Sequence, residues 1–366
     1  MLVGVPKEIK TREYRVGLTP DATAELVAAG AQVLVETGAG AGIDLSDDDY
    51  RAAGAEIAGD AADVFARADM IVKVKEPQLS ECAMLRENQT LFTYLHLAAD
   101  KPQAEALMKS GCTAIAYETV TSPTGGLPLL QPMSQVAGRM SVQVGAHSLE
   151  KASGGRGLLL GGVPGVAPAN VVILGGGVAG VNALQMALGA RADITLFEKS
   201  PARLAELDAL YGDRASMVYS TKAAVAEAVA RADLVIGAVL IPGAAAPKLI
   251  TRDMLSTMQR GAVLVDISID QGGCFETSKP TTHDNPTYEV DGVVHYCVAN
   301  MPGGVPRTST FALGAATMPY VKALAVKGAA KAMADDRHLA AGLNISGGAV
   351  RYEAVAEALN LNYAPA

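Results

Sequence analysis

The stretch Asn170-Val-Val-Ile-Leu-Gly-Gly-Gly-Val-Ala-Gly180, with its continuation to Ile194-Thr-Leu-Phe-Glu-Lys199, carries the sharpest local pattern in the chain. Val171–Leu174 is a short β-branched and aliphatic run, the signature of a parallel strand buried on both faces. Gly175, Gly177 and Gly180 follow at G-x-G-x-x-G spacing, with Val178 and Ala179 between the last two. Val181–Ala190 is Ala-rich and Pro-free, suited to a helix, and Ile194–Phe197 reads as a second strand ending in Glu198. Three glycines alone are a weak signal. Between a strand and a helix, with an acid closing the next strand, they form the fingerprint of a dinucleotide-binding unit.

Each residue type has a physical task there. Gly175 permits the tight turn, Gly177 lets backbone approach a pyrophosphate, and Gly180 lets helix and strand pack closely. Val178 and Ala179 open the helix, whose unpaired N–H groups face the phosphates. Glu198 is placed to accept hydrogen bonds from ribose hydroxyls, and its charge repels a 2′-phosphate, which favours NAD over NADP.

Working outward, 366 residues are enough for two domains with real cores. Half the residues are hydrophobic but only 4% are aromatic, so those cores are aliphatic. A net charge of −8 argues against nucleic acid and anionic membranes as partners. Cys82, Cys112, Cys274 and Cys297 lie far apart without C-x-x-C spacing, and read as buried thiols in a reducing cytoplasm rather than disulfides or metal ligands. The N-terminus is charged too early for a secretory signal. Gly157 to Ala190 lacks charge, but Pro164, Pro168, Asn170 and its many glycines break it as a membrane span.

Residues 1–133 alternate strands with helices. Leu2–Val5, Gln32–Glu36, Met70–Val74, Leu91–Leu95 and Thr113–Tyr117 read as strands, and Ala61–Ala68 and Gln103–Ser110 as helices. Thr19-Pro20-Asp21 marks a helix start and Gly30 its stop. Ser134–Lys151 reads as a linking helix with Ser134 as its cap. The dinucleotide domain then spans 134–305, with later strands Met217–Tyr219, Leu234–Ala238, Ala262–Ile269 and Val293–Val298. From Pro306 onward the chain reads as mostly helical, Phe311–Lys327 and Tyr352–Leu359, packing back on the first domain. The fold class is α/β: two doubly wound parallel-sheet (Rossmann-like) domains.

Ligands of open parallel sheets bind beyond the carboxyl ends of strands, which selects the polar residues found there. In the first domain these are Arg15, Lys73 and Lys75, and His96. Alternation places Lys73 and Lys75 on one face, so the pattern does not choose between them. His96 is either catalytic or an ordinary histidine beneath a loop; His147, His283, His295 and His338 look structural. In the second domain Asp270 is either catalytic or the cap of the Gly272-Gly273 turn, with Asp266 as its more structural rival. Ser220, Val239, Leu240 and the Asn300–Gly304 turn also end strands.

Beyond these local patterns, several long blocks carry a resemblance. Val3-Gly-Val-Pro-Lys-Glu8, Glu13 with Arg15–Pro20, Val74-Lys-Glu-Pro77 and Tyr94-Leu-His-Leu-Ala98 resemble the corresponding blocks of alanine dehydrogenases. So do Gln131–Ser134 with Gly138-Arg139, Asp266–Gly273, Thr281–Asp284 and Asn300–Thr310. The resemblance covers practically the whole chain. It implies NAD-dependent, reversible oxidation of L-alanine to pyruvate and ammonium, with Arg15 and Lys75 holding the substrate's carboxylate and carbonyl oxygen, and His96 and Asp270 as the acid–base pair. It implies that Ser134, Arg203, Ser220, Val239, Leu240, Ile267, Asn300 and Met301 line the cofactor site. It also implies a discontinuous substrate domain, 1–133 and 306–366, a deep interdomain cleft, and a homo-oligomer, commonly a hexamer. The family often carries Asp where this chain has Glu198. The competing readings are a soluble NAD(H)-binding component of proton-translocating transhydrogenase, and a saccharopine- or opine-type amino-acid dehydrogenase.

Overall fold

The computed structural model describes residues 1–239 and 246–365. The chain divides into two compact units, Met1–Met133 with Val305–Ala366, and Ser134–Gly304, each built on its own sheet.

The first unit opens with β1 (Leu2–Val5), β2 (Gln32–Glu36), β3 (Glu56–Ala58), β4 (Met70–Val72), β5 (Thr90–Thr93) and β6 (Thr113–Ala116). They lie parallel in the order β3-β2-β1-β4-β5-β6, with helices such as Pro20–Ala28 and Lys101–Ser110 between successive strands. The helix Pro20–Ala28 starts where its sequence signals. Thr19 accepts the Ala22 N–H, Pro20 fills the first turn, and Gly30 takes a left-handed φ of 86° just past the end. The order reverses between β1 and β4, so the crevice beyond those two strands is the switch point where ligands gather.

The second unit repeats the plan. β7 (Asn170–Leu174), β8 (Asp193–Glu198), β9 (Ser216–Tyr219), β10 (Leu234–Gly237), β11 (Val263–Asp266), β12 (Thr287–Val290) and β13 (Val293–Tyr296) run in the order β9-β8-β7-β10-β11-β13-β12. Only β12 is antiparallel, joined to β13 by an Asp291-Gly292 turn with both φ values positive, as a twisted two-residue hairpin requires. Along β7, Val171 and Ile173 enter one core and Val172 and Leu174 the other, so both faces of the sheet are buried.

The chain then returns to the first sheet. After the helix Pro306–Lys327, β14 (Leu343–Ser346) pairs antiparallel with β6, and β15 (Ala349–Val350) with β14. The C-terminal segment is mostly helical as expected, but it also carries a hairpin that the sequence reading lacked, which turns at Gly347-Gly348 and extends the sheet. Its strands are too short to show a period. Ser134 is also corrected. The linking helix runs Gln131–Ser148, so Ser134 lies inside its first turn instead of capping it. The strand expected over Ala262–Ile269 ends at Asp266, because the Asp266 carboxylate accepts the Ser268 N–H and curls the chain into a 3-10 turn over Ile267–Gln271. Met70–Val74 likewise stops at Val72.

Candidate active site

Loops following β1, β4 and β5 bring Arg15, Lys75 and His96 into one neighbourhood of the first unit. Gly17 shapes the first loop: a Cβ there would lie 2.5 Å from the Val72 carbonyl oxygen, so only glycine lets the Arg15 segment rest on the end of β4. Arg15 is buried, and the Glu13 carboxylate takes its Nε and Nη2 edge at 2.6 and 2.5 Å, while Nη1 faces the Met133 sulfur at 3.2 Å. Burial opposes the guanidinium's charge, and the Glu13 contacts more than restore it. Glu13 is in turn held below the usual carboxylate range, against its own desolvation, by Arg15 and, more weakly, Lys75.

Lys73 and Lys75 have different roles. Lys73 is fully buried between Glu8 at 3.1 Å and Glu81 at 2.7 Å. Glu8 also accepts the Val74 and Lys75 N–H groups at 2.6 and 3.3 Å, and Glu81 accepts the Gln78 N–H. This triad supplies partners to backbone that is leaving the sheet. Lys75 is half-buried and close enough to Glu13 and Glu76 to lower the pKa of both. Strand alternation ends at Val72, which is why the two lysines part.

His96 has left-handed backbone (φ 51°, ψ 34°), a conformation costing a non-glycine residue on the order of 1 kcal/mol. Glu118 holds it there, accepting the His96 N–H at 2.6 Å and the Leu95 N–H at 3.1 Å. The half-exposed ring stacks on Tyr94 and turns Nδ1 towards Glu76 Oε2 at 3.5 Å. Glu76 also bonds Lys10. Despite burial, which acts the other way, His96, Lys75 and Lys10 hold the Glu76 carboxyl far below its ordinary pKa.

In the second unit the candidates lie at or beyond the carboxyl ends of parallel strands: Gly175, Gly177, Val178, Ala179 and Gly180 after β7, Glu198 as the last residue of β8 with Arg203 after it, Ser220 after β9, and Val239 after β10. Ile267 and Asp270 follow β11, and Asn300 and Met301 follow β13. Leu240 lies outside the described residues. Gly175 has φ 106°, and a Cβ on Gly180 would stand 1.8 Å from the Gly175 oxygen. Gly177 has nothing within 4 Å of its would-be Cβ, and the helix Val178–Gly189 starts on it without a side-chain cap. An open approach to uncapped N–H groups suits a pyrophosphate.

Glu198 already serves the turn, accepting the Gly176 N–H at 2.8 Å, Lys199 N–H at 2.7 Å and Ser200 N–H at 3.0 Å. Arg203 donates to the Gly176 carbonyl at 2.9 Å. Ser134 sits one helical turn before Gly138, whose missing Cβ lets that helix touch the Ala179 carbonyl. Asp270 is exposed and accepts the Asn300 N–H at 3.3 Å, whereas Asp266 is buried under the Ser268, Cys274 and Ser278 donors. Asp266 is thus an anchor for its turn. His295 is structural too, buried between the Thr277 hydroxyl and the Val293 carbonyl.

Both parts of the chain match known protein families. Residues 4–137 match the family described as alanine dehydrogenase/PNT, N-terminal domain, and residues 141–353 match alanine dehydrogenase/PNT, C-terminal domain. The alanine dehydrogenase of Halomonas elongata is 62% identical over 366 residues, covering 100% of this chain and 99% of that protein.

The chain belongs to the alanine dehydrogenase/PNT family.

A solved L-alanine dehydrogenase superposes with a TM-score of 0.95 at 52% identity, covering 98% of this chain and 99% of that one. A transhydrogenase structure from Sinorhizobium meliloti matches with a TM-score of 0.83 at 27% identity, over 97% and 100% of the two chains. Family membership and the Rossmann-like second sheet together imply a nicotinamide cofactor. Among the alanine dehydrogenase/PNT residues gathered around Arg15, Lys75 and His96, the acids Glu8, Glu76, Glu81 and Glu118 carry no local signature in the sequence. Glu76, between Lys75 and Pro77, is the one among them whose place at a strand's end marks it.

Proposed function

We propose that this chain is an NAD-dependent L-alanine dehydrogenase, converting L-alanine, water and NAD⁺ reversibly to pyruvate, ammonium and NADH. The observation that carries the reading is the gathering of a carboxylate-binding arginine, a lysine and a histidine beyond β1, β4 and β5. Arg15, buried and held by the Glu13 carboxylate, is the guanidinium that pairs with the substrate carboxylate. Lys75 stabilises the negative charge that develops on the carbinolamine and carbonyl oxygen. His96 and Asp270, the latter on the second unit, transfer the protons that water addition and ammonia release require. When bound, the nicotinamide supplies the hydride-accepting ring. Glu198, Arg203 and the glycine turn hold the adenosine end, and the Glu198 charge supports NAD over NADP.

Four free, buried cysteines support a reducing, cytoplasmic setting, and no helix among the described residues is long and apolar enough to cross a membrane. The exposed apolar residues Leu159, Val163 and Val166 support a homo-oligomer, a hexamer by family resemblance, which light scattering would test. The deciding assay follows NADH formation from NAD⁺ and L-alanine at alkaline pH, with D-alanine, glycine, L-lysine and NADP⁺ as controls. A rate confined to L-alanine with NAD⁺ is expected. Cofactor binding with no alanine-dependent rate would instead favour the transhydrogenase-like reading.

A further inference from the structure

We propose that Glu76 is the positioning residue of His96, holding ring Nδ1–H so that Nε2 is the atom that exchanges protons with substrate. The inference rests on the alanine dehydrogenase reading of the site. It begins from an asymmetry in how His96 is held. The backbone is fixed from below by Glu118, which engages the Leu95 and His96 N–H groups. Both Glu118 oxygens are used in this way, so Glu118 sets where the ring starts from. The ring itself is flanked by Tyr94 on one face and meets Glu76 at Nδ1.

Glu76 Oε2 is buried and makes no hydrogen bond among the described residues, and the imidazole Nδ1 faces it at 3.5 Å. The other oxygen, Oε1, is bound by Lys10. A neutral imidazole facing a carboxylate through Nδ1 carries its proton on that nitrogen, which leaves the Nε2 lone pair for the reaction. The 3.5 Å separation is long for a hydrogen bond, as such contacts often are without substrate. The carboxylate also faces the imidazolium that forms after proton uptake, so removing its charge disfavours that state.

The charged groups packed around the pair are Lys10 and Lys75, both beside Glu76, and Glu118 beneath the His96 backbone. Removing the Glu76 charge leaves the two cations, and both disfavour the imidazolium. In Glu76→Gln the neutral imidazole therefore persists to lower pH. For a half-exposed ring the acidic limb of kcat/KM for alanine oxidation should move down by roughly one unit. The basic limb of pyruvate amination, which needs protonated His96, should move down by the same amount. Lys10→Met, at a half-exposed side chain, should move both limbs slightly the other way.

The test pairs those profiles with a readout independent of turnover. The rate of diethylpyrocarbonate modification at each histidine is measured against pH by peptide mass spectrometry. Expected is a downward shift of the His96 midpoint in Glu76→Gln, matching the kinetic limbs, with His147 as an unshifted internal control. His147 has its own carboxylate neighbour, Glu150, also at 3.5 Å. Glu76→Asp, which retains the charge, should fall between. Lower activity at every pH with limbs and His96 midpoint unmoved would overturn the proposal. Absence of alanine-dependent turnover in the unmodified protein would overturn the parent reading instead, and the modification midpoints would still decide the Glu76–His96 coupling.

Discussion

Replacing Lys73 with Met, beside the same change at Lys75, separates two lysines that the sequence leaves equivalent. The Lys73 ammonium is fully buried and is the shared cation of Glu8 and Glu81. Burial raises the Glu8 pKa and Lys73 opposes that shift. Methionine fills the volume but leaves both carboxylates without their counter-ion. Breaking a buried ion pair from one side costs about 3–5 kcal/mol. For a unit of this size, each kcal/mol lowers the midpoint by about 2–4 °C, so a fall of roughly 6–20 °C is expected. Lys75→Met removes a half-buried group and should change stability by about 1 kcal/mol or less, while lowering kcat/KM about 10²-fold or more.

The pH dependence supplies a second check. With Lys73 gone, the folded-state pKa of Glu8, which burial already raises, climbs further above the unfolded value of about 4.3. The folded state then binds protons that the unfolded chain does not. The loss of stability is complete at neutral pH and shrinks as the pH falls through the raised Glu8 value towards the unfolded one. Thermal melts of both variants at pH 5 and pH 8, at one protein concentration and without cofactor, measure this directly. A Lys73→Met protein melting within two or three degrees of the parent, or losing more stability at pH 5 than at pH 8, would refute the buried-triad argument.

Further outcomes follow from the geometry. His96→Ala should lower turnover by roughly 10²–10⁴-fold while NADH binding, read by fluorescence, is kept. Gly177→Ala meets no atom within 4 Å and should fold normally, yet bind NADH poorly because its methyl enters the pyrophosphate approach. Gly180→Ala, 1.8 Å from the Gly175 oxygen, should lose stability as well as binding. Glu198→Ala strips acceptors from three N–H groups around the turn, and NAD affinity should fall about 10-fold or more, which titration calorimetry would measure.

The second sheet was legible because its evidence is local. A glycine turn, the strand before it and the acid that ends the next strand lie within 29 residues of sequence, and both-faces burial makes each strand a run of aliphatics. Arg15, Lys75 and His96 could be singled out because strand ends in a doubly wound sheet are where polar residues do chemistry. Their partners could not. Glu8 meets Val74 across 66 residues, and Glu118 meets His96 across 22, by contacts that no periodicity records. The C-terminal hairpin escaped for another reason: four residues and two, joined by glycines, are shorter than any period can establish.

The acids around these cations explain how the site can exist at all. Arg15, Lys73, Lys75, Lys10 and His96 converge on one end of a sheet, and two of these cations are almost wholly buried. Stripped of water and of counter-ions, such a set would oppose folding by several kcal/mol per ion. Each carboxylate removes part of that cost in a different manner. Glu13 neutralises Arg15 along its Nε and Nη2 edge. Glu8 and Glu81 absorb Lys73 completely and spend their remaining lone pairs on the backbone of 74–78, so Lys75 inherits a fixed stem. Glu76 is shared among Lys10, Lys75 and His96, which makes its charge the one to which proton transfer is most sensitive. A neutral residue at position 8 or 13 should therefore register first as instability, and one at position 76 as an altered pH profile.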